Sequence, residues 1–567
     1  MTVIILSAQA NGSFSLTFFY WSRIKRIVPA YMVLLATTTA VMALLLTPSD
    51  FRGFRNSALA SLGFGTNLYF QERADYFAPN ASEMPLLHLW SLAIEMQFYV
   101  FFPLLVLVVP RKFLAPVFTL VTATLFLWAS LELAAGNNDG IYFSLIARIP
   151  EFLVGALVAL IVLGKSAQLK LREPLGLLGI FLVLTSALFL SDTTPFPGIN
   201  AIPVTIGTAL IILARPVFLQ AVLSSKPMQR IGDMSYSLYL WHWPIFATAR
   251  YVLETYKLPP LIAGFSLLLT FLLAFLSWRF IEQPFRERSI SASGLISVLS
   301  IPIVAAAVHL SGASINQFLV QPQPVELSRY ANPSDICHSK LLDSCTRGDP
   351  GAGKHVLVMG DSHAAQLNLF TDEIGRKDGI RFTVISSSSC VPIRGKTLDS
   401  LDQGVSEPCR RQKEAIEDSI YDYDAIIVAG RWLTHGANDS FVEDFRSFLK
   451  ARNDSGQPIL VLGQVPELSN NPQRLYRFSE LGFVKEPEVR LDGWLEGNQN
   501  IEKITKEFRN VDFISLANSA VFDTAPFFEG SSLYFDVHHL NEYGSKMLGA
   551  KSGSIVTDWI AASVFVR

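Results

Sequence analysis

Gly360-Asp-Ser-His363 and Asp536-Val-His-His539 stand about 175 residues apart, and between them they hold a hydroxyl, two carboxylates and three imidazoles. A serine hydroxyl is inert near neutral pH unless a base takes its proton, and the usual base is a histidine oriented by a carboxylate. The spacing assigns the parts: Asp536 orients His539, three residues on, and His539 deprotonates Ser362. His538 is the competing base and His363 a neighbour. Alone, the four-residue run is as readily turn chemistry as catalysis. Its conjunction with an Asp-x-x-His run at the far end of the same segment carries the reading of a nucleophilic, acyl-handling serine.

A second group of reactive side chains lies inside apolar sequence, where charge is expensive and each ionisable residue is a site candidate by default. His88, Ser91, Glu95 and Tyr99 recur at three- and four-residue intervals, so one helix face carries them. Arg148 and Glu151 form an i, i+3 pair, which serves equally well as a helix-to-helix register pair. His242 stands between Trp241 and Trp243, two aromatics that are ordinary interface residues on the bland reading. Arg23 and Arg26 are most simply a topology signal, although the same pair suits the phosphates of an acyl donor.

The elements that must position these groups differ between the two halves. Only 17% of the 567 residues are charged and mean hydropathy is +0.35, which implies a bilayer. Apolar stretches at 27–46, 87–109, 114–133, 142–163, 175–190, 199–214, 238–253, 258–276 and 295–310 predict about nine spanning helices. Lys and Arg gather in alternate loops (Arg23 to Arg26, Arg111 and Lys112, 165–172, 215–230 and 279–288), so the chain starts on the cytoplasmic side and everything after 310 emerges on the other. All four cysteines, Cys337, Cys345, Cys390 and Cys409, lie beyond that point. An even count in one polar region suggests disulfides in an oxidising compartment; of three pairings, Cys337 with Cys345 and Cys390 with Cys409 close the shortest loops, and the alternative is four buried thiols. A net charge of -2 without a Lys/Arg stripe excludes nucleic acid as a partner.

After a polar linker at 311–353, including Gln321 and Pro322, a different period begins. Strands are expected at 354–359, 381–386, 425–429, 458–464 and 511–515, separated by helical stretches, as in an α/β domain with a parallel sheet. The first strand delivers Ser362 at its carboxyl end, at the mouth of a helix beginning near Ala364, where such sheets place reactive groups. The domains are therefore 1–310, a membrane bundle; 311–353, a linker; and 354–567, an α/β domain.

These residues together resemble the bacterial acyltransferase 3 membrane proteins fused to a C-terminal SGNH domain. Trp90-Ser-Leu-Ala-Ile-Glu-Met-Gln-Phe-Tyr99 is similar to that family's WSLxxEEQFY segment, with Met96 in place of its second glutamate. Arg23-Ile-Lys-Arg26-Ile-Val-Pro29, Arg148-Ile-Pro-Glu151 with Gly155, and Gly232 to Pro244 around His242 resemble three further motifs, while Ser362, Asp536 and His539 fall on the SGNH nucleophile, carboxylate and base. The resemblance implies a three-layer SGNH fold and transfer of an acyl group, usually acetyl from cytoplasmic acetyl-CoA, across a bacterial inner membrane to hydroxyls of a surface polysaccharide such as lipopolysaccharide O-antigen. It implies no bound cofactor and no metal, and a periplasmic C-terminal domain. Arg23, Arg26, His88, Glu95, Arg148, Glu151 and His242 become substrate-binding candidates. The family begins with further helical sequence bearing an arginine and a histidine, so this chain is expected to start beyond them. Gly430-Arg-Trp432 occupies the third SGNH block without its asparagine, which leaves the Ser362 amide as the oxyanion donor. Two other functions fit the same residues: an extracytoplasmic glycan esterase, and a glycan transporter whose last domain only binds.

Overall fold

The computed structural model describes residues 1–564 except 73–77, 137–139, 165–170, 192–193, 288–291, 321–322, 402, 418, 483–488 and 491–492. Residues 165–170 and Arg288 of the expected basic loops, and Gln321 and Pro322 of the expected linker, lie outside the described residues. The chain forms two units, Met1–Val320 and Gln321–Arg567.

The first unit is helical. Among the described residues seven helices are long and apolar enough to cross a membrane: Leu16–Leu45, Leu89–Val108, Arg111–Ala134, Leu145–Leu163, Arg172–Phe189, Pro260–Arg286 and Val298–Leu319. Gly198–Ala214 and Val217–Leu223, bent by 90°, make an eighth if taken as one span. About nine were expected. The stretch at 238–253 forms the helix Ser235–Leu253, which Tyr236, Tyr239, His242, Thr248 and Arg250 keep out of this set by composition. Close packing follows from small residues: a Cβ at Gly179 would lie 2.7 Å from the Gly207 carbonyl oxygen, so Arg172–Phe189 and Ile202–Ala214 meet backbone to backbone. The buried Asn316 amide donates to the carbonyls of Ala43 and Leu46 at 3.0 and 2.9 Å, satisfying the end of Leu16–Leu45 from a second helix.

The second unit is an α/β fold. Strands β1 (Cys337–His338), β2 (Thr346–Gly348), β3 (Lys354–Gly360), β4 (Ile380–Ser386), β5 (Ala425–Ala429) and β6 (Ile459–Leu462) precede a small antiparallel pair, β7 (Glu467–Leu468) with β8 (Val489–Arg490), and then β9 (Val511–Ile514). The main sheet runs β1-β4-β3-β5-β6-β9, all parallel, with β2 antiparallel to β4 on the same edge as β1. Apolar side chains leave both faces of the strands, as a doubly covered parallel sheet requires. One face packs on Phe370, Ile374, Leu548, Val556 and Ile560 of three helices, the other on Phe441, Phe445, Leu449, Ile501 and Ile504.

Strands β1 and β2 fall inside the stretch read as linker, which is structured at both ends: Ala292–Leu319 runs through its start and the two short strands join the sheet. They have two and three residues, too few for a period-two pattern to show. Cys337 is bonded to Cys345 and Cys390 to Cys409, so the first crosslink fastens β1 to the residue preceding β2.

Candidate active site

Strand β3 ends at Gly360, where the chain must turn sharply beside β5. A Cβ there would sit 1.7 Å from the Ala429 carbonyl oxygen, so only glycine allows this approach. Asp361 then caps the turn, accepting the His363 amide at 2.7 Å, and Ser362 opens a single helical turn, Ser362–Ala365. The longer helix begins only at Asn368. The serine is therefore held by the turn rather than by the end of one long helix, a correction to the helix expected from Ala364.

The residues that close on Ser362 come from the far end of the unit. Phe535 N–H donates to the His539 carbonyl and Leu540 N–H to Gln366 Oε1, which ties the 536–540 loop to the serine's own turn. Asp536 Oδ1 accepts the amides of His538 and His539 at 2.9 and 2.7 Å. Its Oδ2 accepts from His539 Nδ1 at 2.7 Å, and His539 Nε2 lies 2.7 Å from Ser362 Oγ. Carboxylate, imidazole and hydroxyl are thus in line, with the proton-bearing and proton-accepting nitrogens assigned by their partners. Burial alone would raise the Asp536 carboxyl; the His539 ring and the two amides outweigh it and hold the group below the usual carboxylate range.

Around this line the site is lined by imidazoles and one phenol. Tyr330 stacks on His539 at 5.0 Å and 20° and meets His338 edge-on. His338 bridges Ser386 Oγ and Ser388 Oγ, both at 3.0 Å, and burial lowers it to about 4. His538 is likewise lowered to about 4, by burial and then by His539. It faces Asp536 only at 3.9 Å, so His539 and not His538 stands between Asp536 and Ser362. His363 is buried and stacks on His538 at 5.4 Å.

Gly430-Arg-Trp432 serves Asp361. The Arg431 amide donates to Asp361 Oδ2 at 2.8 Å, the Arg431 guanidinium is paired with Glu467 at 2.9 Å, and Trp432 is core, its indole donating to the Leu462 carbonyl. Tyr330, Gln366 and Glu467 were not singled out from sequence. Their residue types are common, and only the 174-residue return of Leu540 to Gln366 gives that glutamine a task.

In the helical unit the candidates gather into three groups. His88 Nε2 meets the Leu240 carbonyl at 3.1 Å, and its ring lies 5.6 Å from that of His242, whose Nδ1 meets the Tyr239 carbonyl at 2.7 Å. Ser91 Oγ is 2.5 Å from the Tyr239 hydroxyl, which donates to the His88 carbonyl. Arg148 pairs with Glu151 at 2.8 Å while its guanidinium lies over the rings of Trp90, Tyr142 and Phe196 at 5.1, 4.6 and 4.8 Å. Glu95 accepts from the Tyr99 hydroxyl, and Arg23 lies over the Tyr99 ring at 5.4 Å; Arg26 is exposed. Trp243 is no loose interface aromatic, for its indole donates to the Met84 carbonyl at 2.7 Å. Tyr239 escaped the sequence reading although it precedes His242 by three residues in one helix.

The chain thus carries a helical unit of membrane-spanning character followed by a parallel-sheet unit with a serine at the end of its first long strand. Two family models match: an acyltransferase domain over residues 4–279 and an SGNH domain of the kind fused to AT3 domains over residues 329–551. The chain belongs to the acyltransferase 3 family with a fused SGNH domain. It is 32% identical over 291 residues to O-acetyltransferase OatA of Staphylococcus aureus, covering 48% of each chain. Over 225 residues it is 33% identical to an uncharacterized protein of Haemophilus influenzae, covering 37% of this chain and 92% of that one. The chain thus spans about half the length of the OatA relatives it matches. No solved structure matches.

Proposed function

We propose that this protein is an O-acyltransferase of a bacterial plasma membrane that moves an acyl group, acetyl from acetyl-CoA, to hydroxyls of a cell-surface polysaccharide such as lipopolysaccharide O-antigen. The observation that carries the reading is the continuous pair of 2.7 Å contacts from Asp536 through His539 to Ser362 Oγ. His539 takes the Ser362 proton as Oγ attacks the acyl carbonyl and gives it to the departing carrier; a sugar hydroxyl, deprotonated in turn by His539, then takes the acyl group, and the proton returns to Ser362 Oγ. Asp536 keeps the ring in the tautomer this needs.

In the helical unit Arg23 and Arg26 offer cations to the phosphates of the donor. His88, Glu95, Arg148, Glu151 and His242 are the polar lining along which the acyl group passes. The two disulfides support placing the C-terminal unit outside the cytoplasm, since such bonds persist in oxidising compartments.

The test compares acetylation of the surface glycan in cells carrying wild type, Ser362→Ala or Glu95→Ala. Loss in both variants is expected. Acetylation that survives Ser362→Ala removes the triad from the mechanism and leaves the C-terminal unit a binding module; glycan that is more acetylated without Ser362 turns the reading into an esterase.

A further inference from the structure

His363 is the residue after the nucleophile, 2% exposed, and its Nε2 has no hydrogen-bond partner among the described residues. Which nitrogen carries its proton follows from a chain of donors. Leu540 N–H can only donate, so the Gln366 atom 2.6 Å from it is Oε1. The other terminus of that amide, Nε2, is then the atom 3.3 Å from His363 Nδ1, and an amide nitrogen can only donate. His363 Nδ1 is the acceptor, and the proton of the neutral ring sits on Nε2.

The three imidazoles of His363, His538 and His539 each bring a nitrogen within 4.8 Å of the others. A metal ion would need each nitrogen at about 2.0–2.1 Å, and would need His363 Nε2 stripped of the proton that Gln366 keeps there. An oxygen suits this tautomer: with the three nitrogens all within 4.8 Å of one another, one oxygen can lie within about 2.8 Å of each, a hydrogen-bond distance.

We propose that His363 is a further residue of the transfer site, whose Nε2–H seats the oxygen of the incoming acceptor hydroxyl beside His539. The inference rests on the acyl-enzyme reading given above. Once Ser362 Oγ carries the acyl group as an ester, His539 Nε2 is free to accept. The seated hydroxyl gives its proton to His539 Nε2 as its oxygen bonds the acyl carbon; collapse of the intermediate breaks the bond from carbon to Ser362 Oγ, and the proton returns to Oγ. His363 loses and gains no proton in the cycle. Its part is to hold the nucleophile in line, so it bears on deacylation and not on acylation.

The full-length chain in detergent, given p-nitrophenyl acetate as donor and water or methanol as acceptor, separates the two steps. The initial burst of p-nitrophenolate reports acylation and the steady state reports deacylation. His363→Phe keeps a flat ring and removes the donor: the burst rate should stay near wild type while the steady state falls roughly tenfold or more with both acceptors. His363→Gln, which returns a donor, should recover part of that loss. A retained burst in His363→Phe and the partial recovery in His363→Gln together guard against a misfolded variant. An unchanged steady state in His363→Phe, or burst and steady state falling together in both His363→Phe and His363→Gln, would overturn the proposal. Turnover that survives in Ser362→Ala would instead remove the acyl-enzyme reading beneath it.

Discussion

Asp361 Oδ2 accepts a hydrogen bond from His435 Nε2 at 2.9 Å, joining the residue before the nucleophile to a helix 74 positions later. The same oxygen takes the Arg431 amide, and Oδ1 takes the His363 amide, so a 2%-exposed carboxylate ends three donors. Burial raises such a group, but the His435 bond and its neighbours hold Asp361 far below the usual range. The turn that aims Ser362 is therefore set by a side chain with no part in proton transfer.

Asp361→Asn tests this. The amide cannot accept from all three donors, and the charge that stabilises them is gone. Unfolding stability should drop by about 2–3 kcal/mol, and acylation by p-nitrophenyl acetate should slow together with deacylation. Wild-type melting and kinetics in Asp361→Asn would show that the turn stands without its cap.

Acid should weaken the C-terminal unit well before its carboxylates titrate. His338 and His538 are lowered to about 4 when folded, whereas the unfolded chain takes up protons on both rings from about pH 6.5 downward. Between those values the unfolded state binds more protons, so their stability contribution is complete above about pH 6.5 and is lost as pH falls toward 4, by about 1.4 kcal/mol per pH unit for each ring. Asp361 and Asp536, depressed in the fold, add a further loss below about pH 4. Unfolding midpoints measured from pH 7.5 to 4 should hold to about pH 6.5 and fall continuously below it, and His538→Gln should flatten the slope; a pH-independent midpoint down to about pH 5 counts against the burial of these rings.

Arg148 is held by shape as well as charge, with Glu151 on one side, the Tyr142 carbonyl at 3.2 Å on another, and three aromatic rings about it. Lysine offers no planar fork to do all three. Arg148→Lys should reduce glycan acetylation roughly tenfold or more at unchanged abundance in the membrane fraction. Full acetylation in that variant would reduce the pair to a register contact between helices.

The five long parallel strands, the triad and the apolar helices were legible because each rests on a local signal: a run such as Val356 to Met359, a Gly-Asp-Ser turn, an Asp-x-x-His spacing. What escaped is set by distant partners. Tyr239 looked like any aromatic until His88, 151 residues earlier, met its hydroxyl. Strands β1 and β2 are too short to carry a pattern and exist because β4 offers them an edge and a disulfide holds them there.

The ring that covers His539 belongs to Tyr330, at the very start of the C-terminal unit, next to Arg329, which is clamped to Glu542 at 2.7 Å. The unit's boundary is thus also a wall of its reaction site. A version trimmed to begin at Ser334 would still contain Ser362, His539 and Asp536, yet would leave the His539 ring's face open to water; whoever isolates this half must keep its first ten residues to keep that ring covered.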